Sequence, residues 1–381
     1  MSERTYLDWN ATAPLRPEAR AAMAKALDSA GNPSSVHAEG RAARALVEAA
    51  RAEVAALVGA EPAQVTFTSG ATEANILALN PFFEGVPARD RFFVSAVEHP
   101  SVLCGGRFPA EKVELLPVDS DGVVDVHALR SAIARSANPL ISVMLANNET
   151  GVVQPIAAIA AIVHELGGLL HVDAVQAPGR IDCRIGELGA DLMSLSAHKL
   201  GGPQGVGALI RRGDLQIEPL IRGGGQERSL RAGTENVAGI AGFGAAAKAA
   251  AGQADAQRMA RLRDRAEAGL KEIVPQAVIF GEKAPRLPNT SLFAVPGLKA
   301  ETALIAFDLN GIALSSGSAC SSGKVAASTV LKAMGVPPAL AAGALRLSLG
   351  YSTTERDIEN FLAALTKVVS GLTKRQQNLA A

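Results

Sequence analysis

The sequence predicts an α/β fold in which a large domain with a mostly parallel, helix-covered sheet is followed by a smaller α+β domain. Three observations lead there. Short apolar runs alternate with helical stretches between residues 64 and 210, and a glycine-rich charged segment, GGGQERSLRAGTENV (223–237), closes that alternation. The chain also has 381 residues, 48% hydrophobic and 19% charged, which is enough to fill a major and a minor core.

The elements follow in chain order. After an extended start, Pro17 to Ser29 reads as a helix, with proline in the first turn and Gly31 just past the end. GNPSS (31–35) is a turn, and a second helix runs from 37 to 58 and stops at Gly59. The strands are QVTFT (64–68), RFFVSAV (91–97), LISVML (140–145), LLHVDAV (169–175), DLMSLS (191–196) and GVGALI (205–210). An Ala-rich helical region spans 237–273. Beyond it AVIFG (277–281), NTSLFAV (289–295), ALIAFDLNGIALSSG (303–317) and ALRLSLG (344–350) read as strands, and an amphipathic helix runs from Thr354 to Leu372. The expected division is 16–250 for the large domain, with 1–15 and 251–381 forming the small one.

Charge and cysteine content narrow the function. Lys+Arg and Asp+Glu are each 37, so there is no electrostatic footprint for nucleic acid or an anionic membrane surface, and small molecules are the expected partners. The start MSERTYLDWN is charged, and no apolar run approaches the ~20 residues that span a bilayer; the expected location is cytoplasmic. Cys104, Cys183 and Cys320 lie far apart with no CxxC spacing, so neither a disulfide framework nor a zinc site is expected, and a chemical cysteine acts alone. The six histidines form no HxxxH or HExxH pair, so no intrinsic metal is expected.

Three motifs carry chemistry. TSGATEAN (68–75) follows an apolar strand and opens a helix, placing backbone N–H groups and the helix dipole at Gly70, Ala71 and Thr72 toward an anion; the same turn serves geometry alone in many α/β proteins. HVDAVQ (171–176) puts Asp173 at a strand end, where ligands gather in open α/β sheets. A buried acid there needs a partner such as a protonated pyridine nitrogen, with Gln176 in reach of a ring oxygen; a turn or cap role for Asp173 is the alternative. SLSAHKLGGPQGVGAL (194–209) places Lys199 at another strand end among small residues, either as an ordinary loop lysine or as the amine an aldehyde cofactor requires.

In this order, and with YLDWNATAP (6–14), GNPSSVHAEGR, VEHPSV, ANNETGVVQPI, RAGTEN, SSGSAC and LRLSLG, the motifs resemble those of group I cysteine desulfurases of the NifS/IscS kind. The resemblance spans nearly the whole chain and implies the aspartate-aminotransferase-like fold (fold type I) of pyridoxal 5'-phosphate (PLP) enzymes. It implies that Lys199 binds the cofactor aldehyde, that Asp173 pairs with the pyridine nitrogen and that Gln176 reaches the ring hydroxyl. The phosphate would fall to Ala71, Thr72, Ser196 and His198, with Thr234 of a second subunit completing the site in a homodimer. His99 would stack on the ring and move protons, and Asn147 would sit near the ring hydroxyl and substrate. Arg346, helped by Asn32, would bind the substrate carboxylate, for which a guanidinium fork is matched.

Cys320 lies in SSGSACSSG (315–323), a serine and glycine setting unlike the buried one usual for free cysteine, and reads as the reactive thiol; Cys104 and Cys183 read as structural. The implied reaction turns L-cysteine into L-alanine and leaves a persulfide on Cys320. The sulfur would then pass to an iron-sulfur scaffold or other acceptor protein, any contact of Cys320 with the nascent cluster being transient. Rival readings are a selenocysteine or cystathionine-type lyase on the same fold, a sulfur-relay docking component of low intrinsic activity, and an inactive scaffold relative. Gln204 stands where such enzymes commonly have lysine, Thr329 where they often have histidine, and Ser229 and Leu230 replace smaller or more polar neighbours; these departures bear on acceptor choice, not on the cofactor set.

Overall fold

The computed structural model describes residues 4–213, 215–252, 254–317 and 328–380. Its centre is a seven-stranded sheet built from β1 (Val65–Thr68), β2 (Arg91–Ser95), β3 (Val113–Leu116), β4 (Pro139–Ser142), β5 (Leu169–Asp173), β6 (Leu192–Ser196) and β7 (Gly207–Arg211). The spatial order is β1-β7-β6-β5-β4-β2-β3. Pairings from β6 through β3 are all parallel, whereas β7 runs antiparallel to both of its neighbours. Because β7 is reversed on both sides, β1 points the same way as β5 and β6, so Thr68, Asp173 and Ser196 end at one edge. The mostly parallel sheet expected from the sequence is therefore present. The edge strand β3, with Leu115 60% exposed, carried too weak an apolar run to be read from sequence.

Helices α1 (Pro17–Leu27), α2 (Ala38–Leu57), α3 (Ala71–Ala78), α4 (Val126–Ile133), α5 (Ile156–Glu165) and α6 (Val237–Ala250) accompany this sheet. The α2 face made by Ala43, Val47, Ala50 and Val54 recurs every three or four residues and is buried in the main core with Phe243 of α6. Gly244 brings α6 against Ala50: a Cβ there would lie 2.5 Å from the Ala50 Cα. The Ala-rich region expected as one helical stretch is two helices, α6 and α7 (Ala254–Ile273), with Ala251 and Gly252 between them.

A second, four-stranded antiparallel sheet holds β8 (Val278–Ile279), β9 (Thr290–Ala294), β10 (Ser315–Ser316) and β11 (Ala344–Ser348) in the order β8-β9-β11-β10. Its core contains Phe293, Phe307, Phe361, Leu345 and Leu347. One expectation needs correction. The first part of ALIAFDLNGIALSSG is not a strand but α8 (Ala300–Leu309), which buries Ala300, Ala303 and Phe307 at three- and four-residue spacing and leaves Ile305 and Leu309 exposed. Only Ile312–Ala313, paired with Thr5–Tyr6, and β10 are extended. The last helix is α9 (Glu355–Ala380). No described helix is long and apolar enough to cross a membrane.

Candidate active site

The shared edge of β1, β5 and β6 opens onto a cavity of about 620 Å³. Its walls include Ala71, Thr72, Asp173, Gln176, Ser196, His198, Lys199, His99 and Arg346, so nine sequence-predicted residues from five separated motifs meet in one place. At one end, β1 passes through Ser69 and Gly70 into α3, whose first-turn N–H groups have no carbonyl one turn back. The close approach that shapes this end depends on Gly207: a Cβ there would lie 2.5 Å from the Gly70 carbonyl carbon and 2.8 Å from the Ala71 nitrogen. His198 stands beside this end with Nδ1 3.1 Å from Thr12 Oγ1. Burial, and then the neighbouring Lys199 charge, push its pKa down to about 4, so the ring is neutral at pH 7.

Asp173 is 4% exposed. Its Oδ1 accepts from the Val175 N–H (3.1 Å) and its Oδ2 from Asn75 Nδ2 (2.9 Å), but no described residue forms an ion pair with it. The same Asn75 nitrogen donates to Ser101 Oγ (2.9 Å), which lies 2.8 Å from His99 Nδ1. The Ser101 N–H also points at His99 Nδ1 (3.1 Å), so that nitrogen is an acceptor and the neutral ring carries its proton on Nε2. Asn75 thus joins the acid to the histidine. Sequence reasoning passed over it although it closes the TSGATEAN motif, one helical turn from Ala71.

Lys199 follows β6 on the short turn Ala197–Lys199, and its Nζ donates to the carbonyls of Asn10 (2.6 Å) and Ala11 (2.8 Å). Gln176 Nε2 donates to the same Asn10 carbonyl at 3.1 Å, and its Oε1 accepts from Arg180. Across the cavity, Arg346 Nη1 donates to the Asn148 carbonyl (2.9 Å) and Nη2 to Asp8 Oδ1 (2.7 Å). Its buried Nε has no hydrogen-bond partner among the described residues.

Three expected site residues are not brought into this cavity within one chain. Asn147 is buried beside it, but its Oδ1 accepts from the Glu149 and Thr150 N–H groups and its Nδ2 donates to the Val97 carbonyl, so the amide organises a turn; the neighbouring Asn148 lines the cavity instead. Asn32 is exposed and its Oδ1 caps the Ser34 N–H. Thr234 is exposed, on the loop whose Arg231 is paired with Glu73 of α3. Cys320 lies outside the described residues. Cys183 is buried with its pKa pushed up to about 12 by desolvation, whereas Cys104 is exposed.

The residues present fit PLP. An anion end of helix N–H groups, a neutral histidine and a serine is followed by an amine, and then by a buried carboxylate that lacks a cation and suits a protonated ring nitrogen. The family model for aminotransferase class-V matches residues 5–361. The chain belongs to the class-V aminotransferase family. That family works with PLP. A cysteine desulfurase of Cereibacter sphaeroides is 44% identical over 97% of each chain, and a cysteine desulfurase IscS of Dictyoglomus turgidum is 41% identical over 98% of this chain and 96% of its own. The crystal structure of a NifS-like protein from Rickettsia africae superposes with a TM-score of 0.88 at 38% identity, covering 97% of this chain and all of the other.

Proposed function

We propose that the chain is a PLP-dependent cysteine desulfurase that converts L-cysteine to L-alanine and holds the sulfur as a persulfide on Cys320. The observation that carries this reading is the cavity in which Lys199, Asp173, the α3 N-terminus and Arg346 converge, and full-length relatives that are cysteine desulfurases support it. Bound PLP supplies an aldehyde for amines and a ring that withdraws electrons from the substrate Cα.

Asp173, oriented by Asn75, holds the ring nitrogen, and Gln176 reaches the ring oxygen. Ala71, Thr72, Ser196 and His198 hold the phosphate, and Thr234 of a second copy completes that end in a homodimer. Arg346, on the cavity wall, receives the substrate carboxylate. Lys199 moves the Cα proton, and His99 exchanges protons near the sulfur from its Nε2 side. The Cys320 thiolate attacks the substrate sulfur: the S–S bond forms as the Cβ–S bond breaks, and the electron pair passes to Cβ, which takes up a proton to give alanine. An iron-sulfur scaffold or another acceptor protein then takes the sulfur. We assign residues 16–250 to the large domain and 1–15 with 251–381 to the small one that carries Cys320.

The test is alanine and sulfide release from L-cysteine under reducing conditions, with L-selenocysteine in parallel. Cys320→Ala is expected to abolish L-cysteine turnover while keeping the cofactor absorbance band; undiminished turnover in that variant would overturn the mechanism.

A further inference from the structure

Behind Gln176 a guanidinium is buried with no acid to meet it. Arg180 lies in the turn that follows β5, where its N–H donates to the Ala177 carbonyl (3.0 Å), and the residue is 8% exposed. Its Nη1 donates to the Gln176 carbonyl (3.0 Å) and to Gln176 Oε1, and its Nη2 to the Lys199 carbonyl (3.3 Å); among the described residues no carboxylate pairs with it. Burial, and then the Arg346 charge, push its pKa down to about 9, so it is still a cation at pH 7. A buried cation held only by neutral carbonyl oxygens is costly, and the three oxygens it holds belong to two residues of the cavity wall.

The two ends of the Gln176 amide differ in what they can face. A guanidinium donates and never accepts, so the amide atom turned toward Arg180 must be Oε1. Nε2 is then left on the other side, where it donates to the Asn10 carbonyl at 3.1 Å. That carbonyl also accepts from Lys199 Nζ (2.6 Å), so one oxygen on the cavity wall is shared by the amide and the amine. Turning the amide over would set its NH2 group against the Arg180 donors and its oxygen against the Asn10 carbonyl, a mismatch at both ends.

We propose that Arg180 is a positioning residue for the cofactor: by holding Gln176 Oε1 it commits Gln176 to present a hydrogen-bond donor to the cavity. This rests on the reading that Gln176 reaches the ring oxygen of bound PLP. A donor holds that oxygen, most strongly when the oxygen is an anion, whereas an amide oxygen in the same place would repel it. The Arg180 charge works in the same direction, because a charge-assisted hydrogen bond on Oε1 polarises the amide and makes its N–H groups stronger donors. The Lys199 carbonyl, the longest of the three contacts, steadies the guanidinium in that position.

The experiment is a double-variant cycle on PLP affinity, read by absorbance as the full-length protein is titrated with PLP alone. Arg180→Met, which keeps the bulk and removes every donor, is expected to weaken binding at least fivefold, and Gln176→Ala by a similar factor. The double variant stays within twofold of Gln176→Ala, because Arg180 acts through that amide. Arg180→Lys, which likewise only donates, stays within threefold of wild type. Far-ultraviolet circular dichroism and urea unfolding identify the folded variants, and Gln176→Glu keeps the test open should Arg180→Met not fold. Held by Arg180, that carboxylate stays ionised and turns only an acceptor to the cavity, so PLP binds at least threefold more weakly than to Gln176→Ala. Losses that multiply in the double variant, Arg180→Lys as weak as Arg180→Met, or Gln176→Glu no weaker than Gln176→Ala each overturn the role of Arg180 while leaving that of Gln176. A Gln176→Ala affinity equal to wild type removes Gln176 from the ring oxygen and the proposal with it.

Discussion

Arg346 Nη2 reaches Asp8 Oδ1 at 2.7 Å across 338 positions of sequence, joining the central strand of the small sheet to the N-terminal segment. The Arg346 side chain is 3% exposed, so the pair orients the guanidinium, which lines the cavity. If the guanidinium receives the substrate carboxylate, Arg346→Ala lowers kcat/KM for L-cysteine by roughly 100-fold, about the loss of two charge-assisted hydrogen bonds. Asp8→Asn leaves the Arg346 charge in place but loosens its aim, and lowers kcat/KM by only about 10-fold, mainly through KM. Steady-state kinetics on both variants check this, and an equal or reversed order refutes it.

Gly207→Ala tests the anion end of the cavity. The added methyl must displace the Gly70–Ala71 backbone, since it would stand 2.5 Å from the Gly70 carbonyl carbon. The expected result is a cofactor affinity at least ~10-fold weaker, equivalent to about 1.4 kcal/mol, in a protein that remains folded. Equilibrium titration of the apoprotein with PLP, followed by absorbance, measures it; unaltered affinity would mean that the α3 N-terminus does not bind the phosphate.

His171 gives a pH dependence of stability. It is fully buried on β5 with its ring nitrogens 2.8 Å from Ser142 Oγ and 2.9 Å from Ser194 Oγ, and burial pushes its pKa down to about 4, against a weaker opposing pull from Asp173. Below the ordinary histidine value of about 6.5 the unfolded chain takes up a proton that the folded ring refuses. Its contribution is therefore complete above pH 6.5 and lost as the pH falls toward 4, by up to roughly 3 kcal/mol. Half-buried His198 acts in the same direction. Urea unfolding at pH 7.5 and 4.5 should show a smaller acid-side loss for His171→Gln than for wild type; equal losses count against the assignment.

Glu227→Ala tests the anchor of the RAGTEN loop. Arg51 and Glu227 form a buried bidentate pair at 2.7 and 2.9 Å, and Glu227 Oε2 also accepts from the Phe67 N–H. The pair holds Glu227, Arg228 and Ser229 in left-handed conformations (φ 45°, 56° and 66°), each costing roughly 1–2 kcal/mol for a side-chain-bearing residue. Removing the carboxylate leaves Arg51 charged and buried, with only Glu48 in partial compensation, and should cost about 3 kcal/mol in urea unfolding. The double variant Arg51→Met, Glu227→Leu should recover most of that loss; failure to recover would assign the effect to the loop backbone.

The strands β1, β2 and β5 to β7 were legible because both of their faces are buried, which writes them as apolar runs such as FFV and ALI. The edge strand β3 lacked that signal, and α8 was hidden because Ala-Leu-Ile-Ala-Phe satisfies a strand and a buried helix equally well over so few residues. Among the residues that line the cavity, Lys199, Asp173 and Ala71 were legible because each follows a strand within a compact motif. Asn75 was not, since its importance depends on Asp173 lying 98 positions away.

The sequence by itself determined the layered α/β architecture, the order of the cofactor motifs and Cys320 as the cysteine in a Ser/Gly setting, because periodicity and local composition record burial and strand-end chemistry directly. Tertiary structure alone decided the partners. It set Arg346 on Asp8, Asn75 between Asp173 and Ser101, and Asn148 rather than Asn147 on the cavity wall. A hydrogen bond is satisfied by whichever complementary atom lies within about 3 Å, and chain folding brings that atom there from hundreds of positions away without leaving a pattern in the sequence.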